Sequence, residues 1–100
     1  MKKLFISQPM SDKTNEEIKA VREAIVADAS KLVGDEVEVI DSFFENAPHD
    51  ARRPLWFLGK SLELLSTADC AYFAEGWEYA RGCKIEHECA VQYGINIVGE

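Results

Sequence analysis

The chain of 100 residues has little positive charge and no long apolar run. Eleven Lys and Arg stand against eighteen Asp and Glu, which gives a formal net charge of −7. Nucleic acids and anionic membranes bind clustered Lys and Arg, so we expect neither as a partner. No run approaches the roughly 20 apolar residues that span a bilayer. The apolar residues 4–6 after Lys2 and Lys3 are too few for the core of a signal peptide.

Cysteine and histidine are also scarce. The three cysteines, Cys70, Cys83 and Cys89, are odd in number and lack paired spacing. This pattern favours free thiols in a reducing compartment, so we expect a cytoplasmic protein. The tight CxxC or HxxxH pairs typical of zinc sites are missing, so the sequence predicts no metal, and we expect no cofactor.

The residues that are present predict one small folded domain over residues 1–100. Hydrophobic residues make up 47% of the chain and charged residues 29%, enough to form a core without favouring disorder. Apolar runs predict strands over residues 3–7, 36–40, 69–74 and 95–98. Helical spacing predicts three helices: one from the capping pair Thr14 and Glu17 to Gly34, one beginning at Pro54, and one over residues 82–93.

This alternation of strands and helices is typical of an α/β domain with a parallel sheet and helices on both faces. We expect a short flavodoxin-like or Rossmann-like three-layer domain with four strands in the order 2-1-3-4 and right-handed crossovers. Ligands bind such sheets at the carboxyl ends of the strands, where the strand order reverses. The loops 7–11 and 75–81 should therefore form a crevice.

Glu86 is the candidate catalytic residue. At helical spacing it shares a face with Gly82, Cys89, Ala90 and Tyr93, which are small or largely apolar, so the face should pack inward. A carboxylate on an inward face requires a partner or a function. Near a helix amino terminus it can stay ionised and attack an electrophilic sugar carbon. The alternative, equally open, is a structural carboxylate that pairs with Arg81 or caps the helix.

Several further residues are candidates for substrate binding. The loop after the first strand could receive an anion or sugar hydroxyls, although it could equally be an ordinary turn. Arg52, Arg53, Arg81 and Lys84 could bind a phosphate, or pair with nearby Glu side chains. Trp77 could stack on a base or pack in the core, and Asp41 could contact a ligand edge. The loop candidates are Ser7, Gln8, Pro9, Met10 and Ser11.

Three other polar or aromatic positions have plainer interpretations. His87 follows Glu86, but adjacent helix positions point about 100° apart, so we expect a surface or interface residue. Trp56 and Phe57 should serve the core or a subunit contact. Asp69 begins a strand at the opposite end of the sheet and should be structural.

Three segments resemble the nucleoside 2-deoxyribosyltransferase-like superfamily, most closely its small bacterial and phage members. They are FISQPMS near the start, ADCAYFAEGWEYARGCKIEHECA in the last third and YGINIV at the end. The shared patterns are I-S-x-P-M and G-W-x-x-x-R-G-x-x-x-E. The resemblance covers nearly the whole chain.

The resemblance implies an enzyme that cleaves the N-glycosidic bond of a deoxynucleoside or nucleoside monophosphate, assembled as a homo-oligomer. Residues 82–90 match the pattern Gly-Thr-x-x-Glu-x-Gly-x-Ala, which places the nucleophile at Glu86 and includes Gly82 in the substrate site. A covalent glycosyl-enzyme would then be resolved by water or by another base. Two displacements at one carbon would retain its configuration.

Four positions depart from the family pattern. Cys83 replaces a Thr, Glu88 a Gly, Ala80 a loop Asp, and Ser61 an Asp that holds the sugar on the second helix. These changes place base transfer in doubt and leave hydrolysis open. They also leave open a catalytically silent module that binds or senses a nucleotide. A phosphoacceptor regulator is disfavoured, because the required acidic positions hold other residues, Ser7, Gln8 and Ala74 among them.

Overall fold

The computed structural model describes residues 1–9, 13–41 and 48–99. Within these ranges, four strands alternate with three α-helices, and a short 3-10 turn, Trp77–Tyr79, precedes the last helix. The elements in chain order are β1 (Lys2–Ser7), α1 (Asn15–Val33), β2 (Val37–Val39), α2 (Arg53–Leu65), β3 (Cys70–Phe73), α3 (Arg81–Gln92) and β4 (Asn96–Ile97).

The four strands form one parallel sheet in the order β2-β1-β3-β4, which confirms the predicted fold class and strand order. β1 lies in the interior, with Lys2 opposite Val37 of β2 and Leu4 opposite Cys70 of β3. The edge strands are shorter than predicted. Beyond β2, however, Ile40 N still donates to Leu4 O at 2.9 Å, so pairing reaches the predicted end of that strand.

The helix ends follow local sequence signals. The Thr14 hydroxyl accepts from Glu17 N at 3.1 Å and satisfies an amide that the first turn of α1 leaves unpaired. Gly34 ends α1 in the left-handed conformation, with φ of 80°, where a side chain would be strained. Pro54 lies in the first turn of α2, as predicted. No helix in the described ranges is long and apolar enough to cross a membrane.

The sheet separates two apolar clusters, one beneath α1 and one beneath α2 and α3. Side chains alternate along β1, so Leu4 and Ile6 pack on the α1 side and Phe5 packs on the other side. The same alternation directs the next two residues, Ser7 and Gln8, to opposite faces at the carboxyl end of β1. The fold thereby divides the predicted β1 loop between two environments.

Candidate functional site

Glu86 lies buried where β1, α2 and α3 meet at the carboxyl edge of the sheet. Its residue surface is 8% exposed. Ser7 Oγ, at the end of β1, donates a 2.6 Å hydrogen bond to Glu86 Oε1. The Ser61 side chain, from α2, also hydrogen-bonds the carboxylate. Three elements distant in sequence therefore hold one acidic group.

The environment of Glu86 both opposes and supports its charge. Burial raises the pKa of Glu86 above its ordinary value, because a carboxylate loses water that favours the ionised form. Hydrogen bonds from Ser7 and then Ser61 lower that pKa, because both hydroxyls stabilise the anion. The two serines therefore perform the stabilisation that a cation provides in most buried carboxylate sites.

Both structural alternatives for Glu86 are wrong. Among the described residues, the one ion pair joins Lys60 and Glu63 at 3.3 Å, so Arg81 does not pair with Glu86. The residue before α3, Ala80, makes no side-chain cap, and Glu86 lies in the second turn rather than at the helix start. Its burial therefore needs another explanation.

Cys83 extends the polar cluster by one group. Its side chain is buried and in hydrogen-bond contact with Ser7. Burial raises the pKa of the Cys83 thiol, the bond from Ser7 lowers it, and the charge of Glu86 raises it. A hydroxyl has one proton, and Ser7 donates it to Glu86, so Ser7 cannot donate to the Cys83 sulfur at the same time. A protonated thiol thus occupies the position where the family pattern has a threonine.

A surface groove lies beside this cluster, between the amino-terminal turns of α2 and α3. It encloses about 670 Å³. Leu58 precedes Ser61 by three residues and Gly82 precedes Glu86 by four, so the groove is about one helical turn from the buried carboxylate. The described residues that line it are Arg52, Pro54, Leu55, Leu58, Arg81, Gly82 and Ile85.

Gln8 belongs to a separate network on the α1 side. Its Oε1 accepts from Arg22 Nε at 2.8 Å, and its Nε2 donates to Ile18 O at 3.3 Å. Burial lowers the pKa of Arg22, and the charge of Asp41 acts in the opposite direction. Gln8 and Asp41, both predicted to bind substrate, are therefore connected through Arg22 on the face opposite Glu86.

Sequence reasoning missed Arg22. Its position nevertheless carries a signal, because it lies four residues after Ile18 and three before Ile25. A cation within the apolar stripe of a helix must either extend to solvent or meet a buried polar partner. Here it meets Gln8.

The loops after β1 and β3 approach each other, as predicted for a crevice. A methyl group added to Gly76 would lie 3.6 Å from Pro9 Cγ. A cavity of about 390 Å³ opens on the α1 side of this contact. Its described lining mixes both charges and apolar groups: Gln8, Pro9, Lys13, Glu17, Ile18, Val21, Ala74 and Glu75.

No protein-family model, curated protein or solved structure matches the chain. The resemblance to the nucleoside 2-deoxyribosyltransferase-like superfamily therefore stays a prediction. Inference about function depends on the geometry of the site.

Trp77 and His87 form a stacked pair that the sequence did not indicate. Their ring centroids are 3.9 Å apart with planes 10° from parallel. Phe73 meets His87 edge-on at 4.8 Å. His87 is therefore a half-buried aromatic contact at the surface. It covers one face of Trp77, so a base could stack only on the other face.

The predicted site residues consequently fall into five groups. Ser7 and Ser61 contact Glu86, while Arg81 and Gly82 border the adjacent groove. The α1 side holds Gln8, Pro9 and Asp41. Trp77 packs against His87, and two positions lie outside the described residues, Met10 and Ser11.

Proposed function

We propose that the chain cleaves the N-glycosidic bond of a deoxynucleoside or nucleoside monophosphate, with Glu86 as the nucleophile. The observation that carries the proposal is a buried carboxylate at the carboxyl edge of a parallel sheet, bound by Ser7 and Ser61 and paired with no cation among the described residues. A groove for a ligand lies one helical turn away. Ligands bind α/β sheets at this edge.

The chemistry follows from the position of the carboxylate. A Glu86 oxygen forms a bond to the anomeric carbon while the bond from that carbon to the base nitrogen breaks, and the bonding electrons leave with the base. The base takes a proton from water. A second water, or another base, then attacks the same carbon, gives its proton to the hydroxide left by the first water, and releases the carboxylate. Ser7 orients the carboxylate for both steps through its bond to Oε1.

The raised pKa of Glu86 has a functional consequence in this mechanism. The nucleophile must be ionised, and burial delays ionisation to a higher pH than an exposed glutamate requires. Desolvation also makes the anion more reactive once it forms, because fewer waters must be displaced before attack. The two serines keep the anion accessible without the charge neutralisation that a bound cation would impose.

Release of free base tests the proposal. Purified protein is incubated with the common deoxynucleosides and their 5′-monophosphates, and free base is measured by chromatography. We expect release by the wild type and a loss of about 1,000-fold in Glu86→Gln, which keeps the shape and removes the nucleophile. Glu88→Gln, an exposed carboxylate on the same helix, is the matched control and should retain activity.

Two results would contradict the catalytic proposal. The first is no base release by the wild type from any substrate in the panel. The second is equal release by wild type and Glu86→Gln. A covalent sugar adduct on the peptide containing Glu86, detected by mass spectrometry after rapid acid quench, would support it directly.

The second candidate is a catalytically silent module that binds or senses a nucleotide. The observation that favours it is the 8% exposure of Glu86, whose carboxylate already has two serine partners. Such a module would show nucleotide-dependent thermal stabilisation without any base release. Stabilisation accompanied by turnover would exclude it.

The proposal includes a homo-oligomer and a cytoplasmic location. Large apolar side chains remain exposed on the single chain, among them Tyr79, Tyr93 and Leu55. Such exposure is what a subunit contact would cover. The three cysteines are free thiols, as in most cytoplasmic proteins. Sedimentation analysis of the purified chain would measure its oligomeric state.

A further inference from the structure

Two cations flank the groove between α2 and α3. Arg52 and Arg81 lie on its borders, and the other described lining residues are apolar or glycine. No carboxylate is among the described residues of this lining, although acidic residues outnumber basic ones by eighteen to eleven in the whole chain. The groove is therefore locally positive on a protein that is negative overall.

Both arginines are free to receive a ligand. Within the described part of the chain, neither guanidinium takes part in an ion pair or a side-chain hydrogen bond. A guanidinium offers several N–H donors in a planar fork that matches the oxygens of a phosphate. Leu55, Leu58 and Ile85 form an apolar wall beside these two cations.

The distance between the groove and Glu86 suits the distance between the phosphate and the anomeric carbon of a nucleotide. Gly82 in the groove and Glu86 at the carboxylate are four residues apart, about 6 Å along the axis of α3. In a nucleoside 5′-monophosphate, the sugar ring and one methylene group separate the anomeric carbon from the phosphate. A sugar with its anomeric carbon at Glu86 can therefore extend its phosphate toward Arg81.

We infer that the substrate is a nucleoside 5′-monophosphate whose phosphate binds in the groove between Arg52 and Arg81. This inference rests on the proposed function, since it assigns the sugar to Glu86. It distinguishes between the two substrate classes that the proposal leaves open. The arginines also offset the repulsion between the phosphate and the Glu86 carboxylate, so they make an anionic substrate compatible with an anionic nucleophile.

Binding measurements test the inference without requiring turnover. Titration calorimetry on Glu86→Gln compares deoxynucleoside 5′-monophosphates with the matching deoxynucleosides. We expect the monophosphates to bind at least about tenfold more tightly, since one charged hydrogen bond is worth that much. Arg52→Gln and Arg81→Gln should each weaken monophosphate binding by about tenfold and leave nucleoside binding unchanged. Binding should weaken as salt is raised, because the groove is exposed to solvent.

Arg53→Gln is the matched control. Arg53 is an exposed arginine next to Arg52 in sequence, but it does not line the groove. We expect Arg53→Gln to bind monophosphates as tightly as the protein with Arg53 does. Equal losses in Arg53→Gln and Arg52→Gln would indicate a general charge effect and overturn the groove assignment.

Failure of the inference can be distinguished from failure of the proposed function. Base release that is equal from nucleosides and monophosphates, and unaffected in both groove variants, overturns the inference while Glu86 catalysis stands. Monophosphate binding that depends on Arg52 and Arg81, without base release by the wild type, supports the groove and overturns the catalytic proposal.

Discussion

Ser7 and Gln8 lie at the carboxyl end of β1 and point to opposite faces of the sheet. Their side chains have different kinds of polar partner on the two faces. On the α1 side, Gln8 is buried and both ends of its amide are engaged, by Arg22 and by the carbonyl of Ile18. On the other side, Ser7 supports a carboxylate that has no cation partner among the described residues.

This difference separates a network with a structural role from the network that we propose to be reactive. The buried Gln8 amide accepts one hydrogen bond and donates another, and these two bonds fix its orientation. A buried carboxylate stabilised by hydroxyls alone keeps a raised pKa and remains able to bond elsewhere. The comparison supports the proposed chemistry at Glu86 and a structural role for Gln8 and Arg22. Single substitutions on each face of the sheet test this assignment.

Among the variants that keep Glu86 in place, Ser7→Ala should have the largest effect on activity. It removes the 2.6 Å hydrogen bond to Glu86 Oε1, which both orients the carboxylate and favours its charge. We expect turnover to fall about 100-fold, as for other hydrogen bonds that organise a reacting group. The acid limb of the pH–rate profile should also move to higher pH, because loss of that bond raises the pKa of Glu86 further. An unchanged acid limb would contradict this role.

Arg22→Met should affect stability and leave chemistry intact. The change keeps an apolar side chain on α1 and leaves Gln8 Oε1 without its donor, at a cost of about 2 kcal/mol for a buried unsatisfied group. Urea unfolding measures the loss. Turnover per folded molecule should stay within about twofold of the wild type. A turnover loss as large as that of Ser7→Ala would show that the two faces are not separate.

Part of the fold and of the site can be predicted from the sequence, because it depends on local signals. Thr14 and Gly34 mark the ends of α1 because capping depends on neighbouring residues alone. The strand order follows from alternation and from the preference for short, right-handed crossovers. The inward direction of Glu86 follows from the small and apolar residues that share its helix face.

Other features depend on tertiary contacts that no local pattern contains. Arg22 meets Gln8 only because β1 and α1 pack together. The stack of Trp77 on His87 joins a 3-10 turn to a helix ten residues later, and only the angle between them brings the rings parallel. Ser61 entered as a candidate by resemblance alone, and its contact with Glu86 requires α2 and α3 to lie side by side.

Glu86→Gln should change how stability depends on pH. Burial raises the folded-state pKa of Glu86 above the ordinary value of 4.5, so the folded protein binds this proton more tightly than the unfolded chain. That contribution is fully present below about pH 4.5 and is lost as pH rises through the raised pKa. The variant has no such loss. Its unfolding free energy relative to wild type should therefore increase as pH is raised from 4 toward neutrality, in urea titrations at several pH values.

Glu88, the other carboxylate on α3, is the control for this measurement. Glu88 is exposed, so Glu88→Gln makes the same change of carboxylate to amide on the same helix without changing the buried site. A flat profile for Glu86→Gln would mean that burial does not disfavour the charge of Glu86. The difference between the two sides of β1 would then not be electrostatic.

Ser61→Ala should have a smaller effect on activity than Ser7→Ala, in the same direction. The Ser61 hydrogen bond lowers the pKa of Glu86 less than the Ser7 bond does, and Ser61 is less buried. We expect a fall in turnover of about tenfold or less, with a small shift of the acid limb to higher pH. Because both hydroxyls bind one carboxylate, the double variant should lose a different amount than the two single losses predict together. Strict additivity would show that the serines do not act through a common group.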